Sequence, residues 1–226
     1  ILPFISTIYP RAKYVVLTRH PFAIFSSFAK SFFDNDWEAA HEFNPILERY
    51  IPAIASFIRK EEVPFYHVKY EELVADPEAQ IKAMCATITV PYKPEMINYG
   101  EKKVEGKGLG DPIGVSQDKR PNTKSVNKWA NEVANNEKRI QLLQRMLKNI
   151  DDDDLAVWGY TRENLWEPLH DVDTQTAIAV QQQAAKWDRY HVERRMLLRL
   201  RRGIHGNVLG RTLKKVRFFC DVMLRE

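Results

Sequence analysis

The sequence predicts a three-layer α/β domain with a parallel sheet, and three observations carry that prediction. Two short β-rich runs, Lys13 to Thr18 and Pro64 to Val68, are each followed by a helix start. The stretch between them reads as helix. A strand, helix, helix, strand, helix order over the first ninety residues favours parallel strands joined by helical crossovers.

Each element has its own reason. The opening Ile1-Leu2-Pro3-Phe4-Ile5 lacks a charged start and a small-residue cleavage site, so it is no signal peptide. It reads as the apolar face of a helix running toward Tyr9-Pro10, and with Ile at position 1 the domain is expected to be N-terminally incomplete. The run KYVVLT is apolar on both faces, as a buried parallel strand would be. Pro21 suits the first position of a helix through Phe33. Asp36 can cap the next, with Phe43, Leu47, Tyr50, Ile54 and Ile58 on one stripe. After the second strand, Asp76-Pro77 places an N-cap and a first-turn proline before a helix through about Ile88.

Residues 98 to 124 hold five of the nine glycines and show no periodicity, so they read as a long loop, of the kind that is usually functional or disordered. Helices are expected from about Ser125 and from about Asn135 to Lys148. The acidic run Asp151 to Asp154 reads as a solvated turn and helix cap. From Lys186 to Glu226 there are 12 Lys/Arg against 4 Asp/Glu, with Met196, Leu200, Ile204 and Val208 at every fourth position. That is a basic amphipathic helix on a mildly acidic body. The expected division is 1–170 for the domain and 171–226 for the helical basic extension.

Composition excludes several classes. With 44% apolar and 28% charged residues the chain is globular, and the net charge of +4 is too weak to argue nucleic-acid binding. No apolar run spans a bilayer. Two cysteines, Cys85 and Cys220, make no framework or CxxC pair, and the six histidines lack ligand spacing, so no metal is expected. The reading is of a cytoplasmic protein. There is no GxxxxGK[ST] and no GxGxxG.

The informative segment is AKYVVLTRHPFAIFSSF, residues 12 to 28. Arg19 closes a strand at the edge where open α/β sheets bind ligands. Its planar fork of donors suits a phosphate and stays charged at any working pH. The following helix adds N–H groups, and Ser26 or Ser27 can donate from the same turn. The plainer alternative is an arginine paired with a carboxylate above small, packed serines.

VVLTRHPFAIFSSF resembles the 3′-phosphate-binding segment of the sulfotransferases that use 3′-phosphoadenosine 5′-phosphosulfate (PAPS). In that family an Arg ends a strand and a Ser follows eight residues later, the separation of Arg19 and Ser27; Ser26 is one residue out of register. HVKYEELVADPEAQIKAM is similar to the family's second strand and Asp-Pro-Glu helix start, and the resemblance places Tyr70 near the adenine. KGLGDPIGVSQDKRPNTKSVNKW resembles the late basic loop before a Ser-Val-x-x-Trp helix. It makes Lys124 and Ser125 candidate donors to the 3′-phosphate, with Arg120 behind them and Lys107 to Gly110 approaching by backbone. The resemblance covers roughly residues 1 to 170 and is closest to the bacterial branch.

What it implies is a P-loop-like fold and sulfuryl transfer from PAPS, used as co-substrate without a metal. The acceptor would be a hydroxyl or amine on a saccharide, small metabolite or peptide. The family's 5′-phosphosulfate loop, a Lys or Arg followed by Ser-Gly-Thr, and its His or Glu base are not in these 226 residues. No catalytic residue is assigned: His20 and His41 do not match the base position. On this reading the 226-residue chain is one part of a longer enzyme and inactive alone. A non-catalytic module that keeps the fold, or a P-loop kinase-like domain, are the other readings the sequence leaves open. The tail at 190–226 is expected to pack on its own domain, with peripheral membrane or protein contact as the alternative.

Overall fold

The computed structural model describes residues 2–60, 62–98, 120–173 and 196. The tail and residues 99–119 of the expected loop, with Lys107 to Gly110, lie outside the described residues. Helix α1 (Leu2–Ile8) leads to β1 (Tyr14–Thr18), α2 (Pro21–Phe33), α3 (Trp37–Phe43), α4 (Ile46–Lys60), β2 (Phe65–Lys69), α5 (Tyr70–Ala75) and α6 (Pro77–Ile88). Beyond the loop come a 3-10 turn at Thr123–Ser125, α7 (Lys128–Val133), α8 (Glu137–Leu147), α9 (Asp152–Val157) and α10 (Glu167–His170).

The strands pair in parallel, with Tyr14 opposite Phe65 and Thr18 opposite Lys69. The molecule is therefore α/β with a parallel sheet, of two strands among the described residues. Helices lie on both faces. Phe57 of α4 meets the rings of Tyr14 and Phe65 at 5.8 and 6.0 Å on one face. On the other, Gln80 of α6 accepts from the Tyr66 hydroxyl at 2.9 Å, and Val68 is buried.

β1 corrects one expectation. Val15 and Leu17 are 42% and 53% exposed, so the strand is not buried on both faces. Their face is the one α6 covers, and α6 reaches over β2 but leaves these two side chains open.

Local chemistry sets the helix ends. Pro21 opens α2, and Asp34 and Asn35 at φ 51° and 66° stop it in the left-handed region that Asp and Asn tolerate. Asp36 and Asp76 cap α3 and α6, each accepting an N–H at 3.1 Å, from Ala39 and Ala79. The single helix expected after Asp36 is two, broken at Asn44-Pro45. The expected stripe shifts accordingly: Ile46, Leu47, Ile51 and Ala55 are buried, whereas Phe43 and Tyr50 are each 49% exposed. The acidic run is also only partly solvated. Asp154 is buried and pairs with Arg59 at 2.5 Å.

The main core is helical and sits beside the sheet. Phe22 and Phe25 of α2, Leu47 and Ile51 of α4, Leu142, Leu143 and Met146 of α8, and Leu155 of α9 are fully buried in one cluster. Trp158 ties it together by donating its indole N–H to the Ile51 carbonyl at 3.3 Å. Cys85 is a buried free thiol.

Candidate functional site

Register builds the site. Because Thr18 and Lys69 are opposite each other, the next residues, Arg19 and Tyr70, emerge side by side at the carboxyl ends of both strands. The Arg19 guanidinium lies 4.3 Å from the centroid of the Tyr70 ring, a stacked cation–π arrangement. Its Nη2 donates to the Ser125 carbonyl at 2.8 Å, and the Tyr70 hydroxyl and Ser125 Oγ are 2.7 Å apart. Three residues chosen from the sequence, Arg19, Tyr70 and Ser125, thus meet at one point, although 106 residues separate the first from the last.

The remaining candidates fall around this cluster in different ways. Ser27 is exposed on α2. Ser26 is buried and faces away from solvent, donating to Glu132 Oε2 at 2.8 Å. Lys124 is exposed beside Ser125, with its backbone N–H donating to Asn122 Oδ1 at 3.1 Å. Arg120 is exposed at the start of the described segment. An open cleft of about 650 Å³ runs between α5 and the turn, lined by Glu71, Thr123, Lys124, Asn127 and Lys128 among others.

Behind Arg19 the surroundings are dry and aromatic. The His20 ring is 5% exposed, stacks on Trp129 at 4.6 Å and meets Phe22 and Tyr160 edge-on. Burial, reinforced by the Arg19 cation, holds its pKa down at about 4, so the ring is neutral at pH 7. Burial and the nearby Glu71 carboxylate push the Tyr160 hydroxyl up, out of the range where it ionises. Glu71 Oε1 accepts the His20 backbone N–H at 2.9 Å, fixing the turn that aims Arg19. His41 is elsewhere, on α3, with Nε2 2.7 Å from Glu48. Sequence reasoning passed over Glu71 and Glu132 as individuals. The available signal was that Glu71 follows Tyr70, and that Glu132 lies three residues beyond Trp129, on the same face of α7.

This arrangement fits an anionic group. Arg19 is a permanent cation at a strand end, and its Nε is buried without a partner among the described residues. Such a donor gains from a charged acceptor. Among the described residues no His/Cys/Asp/Glu group could hold a metal ion, and no helix is long and apolar enough to cross a membrane.

Comparison with known proteins gives a likeness for part of the chain. The sulfotransferase family model matches residues 1–94. No curated protein matches the sequence. Among solved structures, the sulfotransferase domain of the olefin synthase of Synechococcus PCC 7002 aligns at 24% identity with a TM-score of 0.44. The alignment covers 61% of this chain and 48% of that one, so this chain spans about half of that domain's length. The matched residues 1–94 hold both strands and the Arg19–Tyr70 pair, so it is this stretch of the chain that is similar to the sulfotransferase family.

Proposed function

We propose that this chain supplies the 3′-phosphate side of a PAPS site in a sulfuryl-transfer enzyme. In that reaction the bond from sulfur to the phosphate oxygen breaks, a bond from sulfur to an acceptor oxygen or nitrogen forms, and the acceptor proton passes to a base. Arg19 would hold the 3′-phosphate through its forked N–H groups, with Ser27, Lys124 and Ser125 as further donors. Tyr70 offers a ring to the purine. The bound co-substrate brings the activated sulfuryl group. The observation that carries this reading is the Arg19–Tyr70–Ser125 junction, which joins the ends of both strands to the turn beyond the glycine-rich loop.

Calorimetric titration with 3′-phosphoadenosine 5′-phosphate tests it. Arg19→Ala removes a charge-assisted contact of about 1.5–3 kcal/mol and is expected to weaken binding tenfold or more. Equal affinity of wild type and Arg19→Ala would sink the assignment. The 226 residues contain no Ser-Gly-Thr loop, so the chain by itself is expected to transfer no label from radiolabelled PAPS. Transfer by the isolated chain would show that its own residues complete the reaction. The acceptor class in this proposal is a hydroxyl or amine on a saccharide, small metabolite or peptide.

A further inference from the structure

A buried carboxylate connects the nucleotide cluster to the helix that lies behind it. Glu132 of α7 is 4% exposed, and its two oxygens are taken up separately by α2. Oε2 accepts from Ser26 Oγ at 2.8 Å, and Oε1 accepts from Lys30 Nζ at 2.8 Å. The Glu132 backbone carbonyl accepts from Arg139 Nη1 of α8 at 2.7 Å. One turn earlier on the same face of α7, Trp129 stacks on His20. The helix is therefore held to the β1–α2 segment at two points, His20 and the Ser26/Lys30 pair, on either side of the first turns of α2. Immediately before α7 lies the 3-10 turn whose Ser125 touches Arg19 and Tyr70.

We propose that Glu132 is a positioning residue for the nucleotide cluster: its ion pair and hydrogen bond to α2 set the placement of α7, and so hold Ser125 against Arg19 and Tyr70. Ser26 belongs to this device and acts on the ligand only through Glu132. The physical reason is that a buried carboxylate is stable only when its oxygens are satisfied. Ser26 and Lys30, four residues apart on α2, satisfy it at one rotation and height of α7 and not at others. The relevance to a ligand rests on the function proposed above; the mechanical coupling does not.

Glu132→Gln keeps the side-chain volume and removes the charge, and Lys30→Met, at a half-exposed position, is a second variant that removes the ion pair and leaves the Ser26 hydrogen bond in place. Each is compared with wild type by the indole N–H resonances of 15N-tryptophan-labelled protein and by titration with 3′-phosphoadenosine 5′-phosphate. The expected result is that the Trp129 resonance moves while that of Trp158, bonded to Ile51 in the core, stays. Affinity is expected to fall about tenfold for Glu132→Gln and less for Lys30→Met. If both resonances move together, Glu132 is only a stabiliser of the whole fold, and the proposal is overturned. It is equally overturned if neither moves, or if Trp129 moves and affinity does not change. Should wild type bind no nucleotide at all, the proposed function fails, and the two indole signals alone decide the positioning role.

Discussion

His20 and Arg19 are adjacent in the chain and opposite in electrostatic character. The arginine keeps its charge at the strand end, while the histidine behind it is buried among rings and neutral. An unfolded chain would protonate this imidazole near 6.5, whereas the folded one resists until about 4. Between those values the unfolded state binds more protons, so folding stability falls as pH drops through that window. The stability is fully present above pH 6.5, and by pH 4 the loss attributable to this group reaches about 3 kcal/mol. Burial also lowers His67, with the same sign, so the total slope is shared. Denaturant unfolding of wild type and His20→Asn at pH 7 and pH 4.5 separates them. The variant is expected to lose less stability on acidification than wild type, whatever its stability at pH 7. An unchanged slope would mean that His20 is not the protonating group. At this scale the sequence was partly legible. Arg19 was chosen as a strand-end cation, Tyr70 and Ser125 through the family resemblance, and the three meet. Ser26, the weaker of the two serine candidates, bonds to Glu132, a partner 106 residues away to which nothing local points.

The elements read most faithfully were those whose ends are set by chemistry within four residues. Asp36 and Asp76 cap the helices expected of them, and Pro21 and Pro77 open theirs. Asp76→Ala is expected to cost about 1 kcal/mol, and a urea midpoint unchanged from wild type would show that the cap contributes nothing. Where an element depends on its neighbours, legibility fades. The helical stripe through Phe43 and Tyr50 looked continuous because apolar periodicity survives the Asn44-Pro45 break, but the break resets which residues face inward. Helix α5 was missed because six residues carry too little periodicity to separate from the strand before them. The double-sided apolar pattern of β1 suggested cover on both faces, whereas α6 covers only its neighbour.

Across the whole molecule, apolar surface divides between a closed helical core and an open sheet face, and substitutions should separate the two. Leu143→Ala, at a fully buried position, is expected to cost about 2–5 kcal/mol. Leu17→Thr, on the open face of β1, should stay within about 0.5 kcal/mol of wild type. Similar losses at both positions would show that β1 is covered in solution. The order in which the contacts can form is also fixed by where they lie in the chain. Arg19 to Ser125, Ser26 to Glu132, Glu38 to Arg145 and Ile51 to Trp158 are separated by 106, 106, 107 and 107 residues. In these four contacts residues 125–158 meet residues 19–51 at nearly one offset, whereas Arg59–Asp154 and Tyr70–Ser125 are 95 and 55 residues apart. On a ribosome adding about 5–20 residues per second, each of these first-half groups waits roughly 5–20 s for its counterpart to be synthesised. Throughout that interval the faces of α2 and α4 that α7, α8 and α9 will cover stay open, and of the four contacts the junction at Arg19 is the first whose second partner is synthesised.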